Sequence, residues 1–294
     1  MDGILNILKP TGMTSFDVVA YLRGLLKEKK IGHTGTLDPG AVGVLPVCIG
    51  KATKTIEYLT DKDKIYRAEL TLGISTDTQD SYGTVLKVSE VEFTREQIYS
   101  AIMSFVGSYD QIPPMYSAVK IEGKKLYELA RDGITIERKP RKVTIYSIDI
   151  IEIKGNKAIF DVVCSKGTYI RTLCSDIGDK LGCGGHMSFL VRTRSGRFEL
   201  SDSLTLEEIL EFSKDNSISS KLSTIEDVFD DFDRIDLNSS ETKKLINGAY
   251  AEIKRKSLRE GIMFKTYDVN GHFIGISEVL LIKGRLLLKM KKRF

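Results

Sequence analysis

The chain has 294 residues, 41% hydrophobic and 29% charged, with a formal net charge of +4, a balance that excludes a disordered or fibrous protein. No apolar run reaches the roughly 20 residues of a membrane span, and Met1-Asp2-Gly3-Ile4 lacks the basic and apolar start of a secretion signal, so a cytoplasmic location with no membrane partner is expected. Four cysteines (Cys48, Cys164, Cys174 and Cys183) make no C-x-x-C pair; this speaks against a disulfide framework or a metal site, with Cys174, Cys183 and His186 the nearest thing to a cluster.

In chain order, Ile4 to Leu8 reads as a strand ending in the turn Lys9-Pro10-Thr11-Gly12. Thr14 or Ser15 then caps a helix on which Phe16, Val19, Leu22 and Leu26 recur at helical spacing. After a glycine-rich segment, Tyr66 to Ile74 alternates Tyr66, Ala68, Leu70, Leu72 and Ile74 with Arg67, Glu69 and Thr71, the pattern of a half-buried antiparallel strand. Thr94 and Gln97 form a capping box for a helix carrying Ile98, Ala101, Ile102 and Phe105 and closed by Gly107. A short helix follows at Leu126 to Arg131. Strands Val143 to Ile153 and Ala158 to Cys164 flank a Gly155-Asn156 turn, and Ile170, Leu173, Cys174 and Ile177 mark another helix. Ser213 to Ser223 reads as a polar loop and the acidic run Glu226 to Asp236 as an interdomain connection. Phe264 to Val269 and His272 to Ile276 then form a hairpin about Asn270-Gly271, before a last strand from Arg285 to Met290. Without regular β-α-β alternation, the expected fold is α+β: a mixed, mainly antiparallel sheet in residues 1–230 and a small β-rich domain in 231–294. Truncation near residue 230 should then leave the first fold intact.

Charge is unevenly spread. Residues 251–294 hold 11 Lys/Arg against 4 Asp/Glu, whereas residues 201–236 hold 3 against 11. A basic end behind an acidic stretch fits a charged partner such as nucleic acid, and fits a solvated face equally well. Gly43 to Lys51 fails as a phosphate loop, because Leu45 stands where the first glycine belongs and Ala52 replaces the magnesium-binding hydroxyl. The segment Gly32-His33-Thr34-Gly35-Thr36-Leu37-Asp38-Pro39-Gly40 carries more. Its glycines allow close approach, and Pro39 biases Asp38 to an extended conformation. A capped turn and a carboxylate nucleophile or base both remain open.

That segment resembles the catalytic loop of the TruB family of tRNA pseudouridine synthases. The likeness extends to Lys9-Pro10-Thr11-Gly12-Met13-Thr14-Ser15, Lys64-Ile65-Tyr66-Arg67-Ala68, Thr76-Asp77-Thr78-Gln79-Asp80, Pro114 to Lys120, Gly123 to Arg131, and Lys166 to Thr172, in order over about residues 3–198. A weaker likeness links the C-terminal region to the family's PUA-type RNA-binding appendage. Three positions depart: Gly40-Ala41-Val42 stands for the usual Leu-Ala-Thr, Gly184-Gly185-His186 for Gly-Ala-His, and Leu190-Val191-Arg192 for Leu-Arg-Arg, which removes one expected phosphate contact.

The resemblance implies isomerisation of uridine 55 in the T-loop of tRNA, with no cofactor, no guide RNA and no obligate protein partner. Asp38 would be the catalytic carboxylate and Arg171 its ion-pair partner, lowering its pKa. Tyr66 would lie on the flipped uracil, Tyr169 and Leu190 would line the pocket, and His33 would fill the space the bases vacate. Tyr66, Tyr169 and Leu190 fit ordinary core packing as well. Lys9, Lys120 and Arg131 would meet phosphates of the T-arm, and the basic tail would face the acceptor-stem side. An RNA-binding module with secondary catalysis, a tRNA-folding chaperone, remains the alternative, as does a guide-RNA-dependent relative of the same fold.

Overall fold

The computed structural model describes residues 1–121, 123–252 and 259–294. The cluster Lys254, Arg255 and Lys256 of the basic tail lies outside the described residues. The strands are β1 Gly3–Lys9, β2 Ile31–His33, β3 Val42–Ile49, β4 Lys64–Leu72, β5 Ile74–Thr76, β6 Val85–Val88, β7 Gly107–Gln111, β8 Lys120–Ile121, β9 Lys124–Lys125, β10 Arg141–Lys154, β11 Lys157–Cys164, β12 Gly185–Ser195, β13 Phe198–Glu199, β14 Asp233–Asp236, β15 Ala251–Glu252, β16 Met263–Tyr267, β17 Phe273–Ile282 and β18 Arg285–Arg293. The helices are α1 Ser15–Leu26, α2 Ile56–Thr60, α3 Arg95–Met103, α4 Leu126–Arg131, α5 Ile170–Leu181, α6 Leu206–Lys214 and α7 Ser239–Ile246. Among the described residues no helix is long and apolar enough to cross a membrane.

The main sheet runs β1-β3-β12-β4-β11-β10-β7, with β2 on β3 and β13 on β12. It is antiparallel except where β12 meets β3. A second sheet, β14-β16-β17-β18-β15, is antiparallel apart from the β14–β16 pair. The α+β expectation of a mainly antiparallel sheet followed by a smaller β unit is met. In the main sheet β4, β10, β11 and β12 bury Leu70, Ile145, Phe160, Val162 and Leu190 against Ile98 and Ile102 of α3 and Leu173 and Ile177 of α5. At the other end β1 and β3 pack Leu5, Ile7, Leu45 and Val47 on Val18, Val19 and Leu22 of α1 and Ile209 of α6.

Several local expectations need correction. Phe16 faces solvent, beneath the Arg23 guanidinium, because the inward stripe of α1 is Ser15, Val18, Val19 and Leu22. Strand β4 stops at Leu72, since Gly73 takes a positive φ and turns Ile74 into a separate hairpin. Phe105 lies beyond the end of α3 but still packs on the main core. The stretch Ser213 to Ser223 is no free loop: it opens in the last turn of α6, buries Ile218, and ends with Ser223 and Ile4 exchanging two backbone hydrogen bonds of 2.9 Å. The hairpin turn spans Asp268 to His272, with the Asp268 carboxylate accepting from the Asn270 and His272 amides. The last strand continues past Met290 to Arg293.

Strands β3 and β12 are not legible in the sequence. Pro46 sits in the middle of β3, opposite Asn6, and Gly43 has a φ of 115° with the Arg192 backbone pressed against it; a Cβ there would lie 2.2 Å from the Arg192 carbonyl oxygen. Those residues read as loop formers, yet they let β3 lie closely against β12.

The acidic run Glu226 to Asp236 is a packed joint. Phe229 is buried between the two sheets, 5.0 Å from the Tyr58 ring, 5.7 Å from Phe294 and 6.4 Å from Phe273. Asp233–Asp236 is itself the first strand of the second sheet. Lys62 pairs with Asp231 at 2.6 Å, Arg197 with Asp230 at 2.8 Å, and Lys292 with Glu57. The run thus connects the two sheets as a packed joint rather than a free linker, and truncation near residue 230 would strip Phe273 and Phe294 from Phe229. Phe229→Ala should cost about 3–5 kcal/mol of stability, the usual loss for a buried aromatic, read by urea denaturation. A chain ended at Asp230 should lose the cooperative melt of the whole; an unchanged melting transition would contradict this joint.

Candidate active site

The loop of residues 34–41 is held at nearly every residue. The Thr34 amide donates to the Pro46 carbonyl at 3.1 Å, and the Ala41 amide to the Asp38 carbonyl at 3.1 Å. Ser15, the first residue of α1, accepts from the Leu37 amide at 2.8 Å and donates to the Leu37 carbonyl at 3.1 Å. Position 15 is fixed in turn by a capping box in which Thr14 and Asp17 satisfy each other's amides.

Two buried cations grip the same loop. Lys9 is 0% exposed and its Nζ donates to the carbonyls of Met13 at 2.6 Å, Pro10 at 2.7 Å and Pro39 at 3.3 Å. Arg192, 1% exposed, donates to the carbonyls of Val44 at 2.7 Å, Gly35 at 3.1 Å and Thr36 at 3.4 Å. The expected phosphate contact through Lys9 is thus excluded, because its ammonium group is enclosed and its donors are taken. Burial pushes Lys9 down to about 8, Asp38 opposing the shift.

Asp38 projects from this loop onto Arg171, which stands in the first turn of α5. Arg171 Nε lies 3.0 Å from Asp38 Oδ2; the arginine is 5% exposed and the aspartate side chain 40%. The remaining donors are fixed as well: Arg171 Nη1 lies 3.5 Å from Asp80 Oδ2 and donates to the Thr78 carbonyl at 3.0 Å, while Nη2 donates to the Tyr116 carbonyl at 2.8 Å. Arg171 therefore cannot swing away without abandoning several acceptors. Thr76 to Asp80 is visible in sequence as a motif, but nothing there joins it to Arg171.

The expected lowering of the Asp38 pKa is not the outcome. Burial raises it, with Asp80 adding to the rise and Arg171 and Lys9 opposing it; the side chain's partial exposure limits the shift. Tyr66 lies in β4 directly across from Arg192 in β12 and packs against the main core. Burial raises its hydroxyl pKa, and a contact with Arg192 partly offsets that rise.

Tyr169 is the residue before α5, and Gln111 clamps it: Tyr169 N donates to Gln111 Oε1 at 2.8 Å, and Gln111 Nε2 to the Tyr169 carbonyl at 3.0 Å. Leu190 is buried in the cluster that includes Leu37 and Ala41. His33, half-buried in β2, accepts at Nδ1 from the Gly35 amide at 3.3 Å, and burial lowers its pKa. Lys120 and Arg131 lie exposed on β8 and α4. Val191 is half-buried and pairs with Val42 where β12 joins β3. Cys174 and Cys183 are core residues, and His186 Nδ1 engages the Ile74 carbonyl at 2.9 Å.

Residues 23–170 match the family described as TruB family pseudouridylate synthase (N terminal domain), and residues 171–234 match the tRNA pseudouridylate synthase B C-terminal domain. The chain belongs to the TruB family. Its relatives include the tRNA pseudouridine synthase B of Clostridioides difficile (strain 630), 46% identical over 301 residues and covering 100% of both chains. That of Alkaliphilus oremlandii is 64% identical over 209 residues, 71% of this chain and 70% of the relative. Among solved structures, a Cbf5-Nop10-Gar1 complex matches with a TM-score of 0.74 at 27% identity, over 99% of this chain and 84% of that one. The seam between the two TruB matches falls within α5, so each contributes one member of the Asp38–Arg171 pair.

Lys9 binds fewer protons folded than unfolded between about pH 8 and its free value of 10.5, so its contribution to stability grows as pH rises through that window and is smallest below it. The unfolding free energy of wild type relative to Lys9→Met should therefore increase from pH 8 to pH 10 in urea titrations; a constant or shrinking difference would refute the buried-ammonium assignment.

Proposed function

We propose that this chain converts uridine 55 in the T-loop of tRNA to pseudouridine, acting in the cytoplasm without cofactor, guide RNA or obligate protein partner. The observation that carries the reading is the Asp38–Arg171 pair at 3.0 Å on a loop whose backbone is fixed by Lys9, Ser15 and Arg192. It is supported by the curated relatives named tRNA pseudouridine synthase B, several of which align over nearly the whole chain.

Pseudouridine formation breaks the N1–C1′ bond, turns the base and joins C5 to C1′. The C5 hydrogen leaves as a proton and N1 gains one, so neither oxidant nor reductant is needed. Asp38 would act as the ionised carboxylate, at C1′, at C6 or on the C2′ proton, with Arg171 holding its direction. Burial keeps Tyr66 a neutral phenol, suited to lie against the flipped uracil. Its part in the later loss of the C5 proton would run through the hydroxyl's contact with Arg192. Tyr169 and Leu190 would complete the pocket and His33 would occupy the vacated stack, as flipping costs a few kcal/mol that such contacts offset.

Pseudouridine mapping on an unmodified tRNA transcript tests this. Wild type should convert uridine 55 alone, and Asp38→Asn should lose at least about a thousandfold in rate while still binding RNA. Binding without conversion by either protein would transfer the weight to the RNA-binding alternative.

Residues 1–230 would form the catalytic unit and 231–294 a PUA-like RNA-binding unit. Much of the described tail charge is internally used, since Lys291 pairs with Glu278 at 3.0 Å and Lys289 lies over Tyr250. Lys283 and Arg285, exposed at the β17–β18 turn, are better placed for the acceptor-stem side. Lys283→Gln with Arg285→Gln should weaken tRNA binding and flatten the slope of log K against log salt by about 0.9 for each phosphate that is no longer neutralised. An unchanged slope would remove that turn from the RNA surface.

A further inference from the structure

Tyr82 is the most exposed large apolar side chain among the described residues, at 74%, and it stands at the catalytic loop. A Cβ built on Gly40 would lie 2.1 Å from Cε2 and 2.7 Å from Cζ of the Tyr82 ring, so the ring rests on the Gly40 backbone. Gly40 has no positive φ. Glycine is needed there for room, not for conformation. Gly40 is also where the family usually carries a leucine, so in this chain an aromatic ring from the neighbouring loop takes a side chain's place on the wall.

The ring is presented from a fixed support. The Tyr82 amide donates to Asp80 Oδ1 at 3.0 Å, and the other oxygen of the same carboxylate faces Arg171 at 3.5 Å. The Ser81 amide donates to the Met187 carbonyl at 3.2 Å, and the Thr84 amide to Asp77 Oδ1 at 2.7 Å. One edge of the ring is set against Gly40 while most of its surface meets solvent. Gly40 is two residues, at most about 7 Å, from Asp38. A rigid exposed aromatic one short step from a base-handling carboxylate has the geometry of a stacking platform, which any base can use through its π face.

We propose that Tyr82 stacks on an unpaired base of the substrate RNA, the neighbour of the nucleotide delivered to Asp38, and that it sets substrate affinity without touching the reacting atoms. This rests on the pseudouridine-forming reading above. It makes the Gly40–Tyr82 contact, which sequence shows only as two unrelated residues, a single device of this chain.

The test uses the full-length protein and a T-arm stem-loop transcript. Tyr82→Ala should lower kcat/KM by about tenfold, through KM with kcat kept at saturation, whereas Tyr82→Phe should match wild type because the ring and not the hydroxyl is used. Both should melt at the wild-type temperature, since the side chain is mostly outside the core. The chain contains no tryptophan, so Tyr82→Trp installs a single indole whose selectively excited fluorescence should be quenched when the transcript binds. Full wild-type conversion together with wild-type KM for Tyr82→Ala, and emission from Tyr82→Trp unmoved at saturating RNA, would overturn the inference. Failure of wild type itself to form pseudouridine would instead bring down the functional reading on which it stands.

Discussion

The arrangement depends on backbone carbonyls held by buried cations. Loop 34–41 has little internal hydrogen bonding of its own, and its glycines make many conformations accessible. Lys9 and Arg192 remove that freedom from opposite directions, one gripping Pro39 and the other Gly35 and Thr36. Among the described residues neither has a carboxylate within ion-pair distance. Burying such charges is costly unless their donors are met, and here the acceptors are carbonyls of the loop itself. Displacing the loop would strand two charges in the interior, so Asp38 is presented in one place. Lys9 also places positive charge near the carboxylate and, with Arg171, opposes the rise in pKa that burial imposes.

Arg171 carries the second half of that constraint. It brings together the loop bearing Asp38, the loop bearing Asp80 and Thr78, and the segment ending at Tyr116. Three stretches distant in sequence thus share one guanidinium, and its planar fork fixes their mutual orientation better than a single ammonium could. The Tyr82 platform hangs on the same node, through Asp80. Beyond the site, the second sheet is joined by the Phe229 cluster and by ion pairs. Its position relative to Asp38 is therefore set by packing, and an RNA held at its surface would be held at a defined distance from the catalytic loop.

Legibility in the sequence follows the range of the interaction. The capping box at Thr94, a cap at Thr14 or Ser15, the alternation through Ala68, Leu70 and Leu72, and the hairpin around Asn156 are local patterns, and each is readable. Strand β12 is not, because its buried residues include His186 and Arg192, whose polarity is satisfied only by partners far along the chain. Strand β3 is hidden by Gly43 and Pro46. Lys9 misleads for the same reason: a lysine beside a turn looks solvated until the carbonyls of Met13 and Pro39 close around it. Phe229 is lost in an acidic run because charge dominates its surroundings in sequence and aromatic rings dominate them in space.

Taken alone, the sequence determined the family likeness, the α+β class, the order of most helices and strands, and the choice of Asp38, Tyr66 and Arg171 as the residues of interest. The class and the elements depend on residue type and on spacings of a few positions, whereas Tyr66 and Arg171 are implied by the family likeness. Only the tertiary structure decided that Arg171 also faces Asp80, that Lys9 and Arg192 are buried carbonyl-binding cations, that Gly40 makes room for Tyr82, and that the acidic run is a joint. Each of these includes a contact between residues separated by about 30 positions or more, where burial reverses the exposed reading that a charged or aromatic residue receives in sequence. Desolvation is a property of the surrounding fold, and no local pattern encodes it.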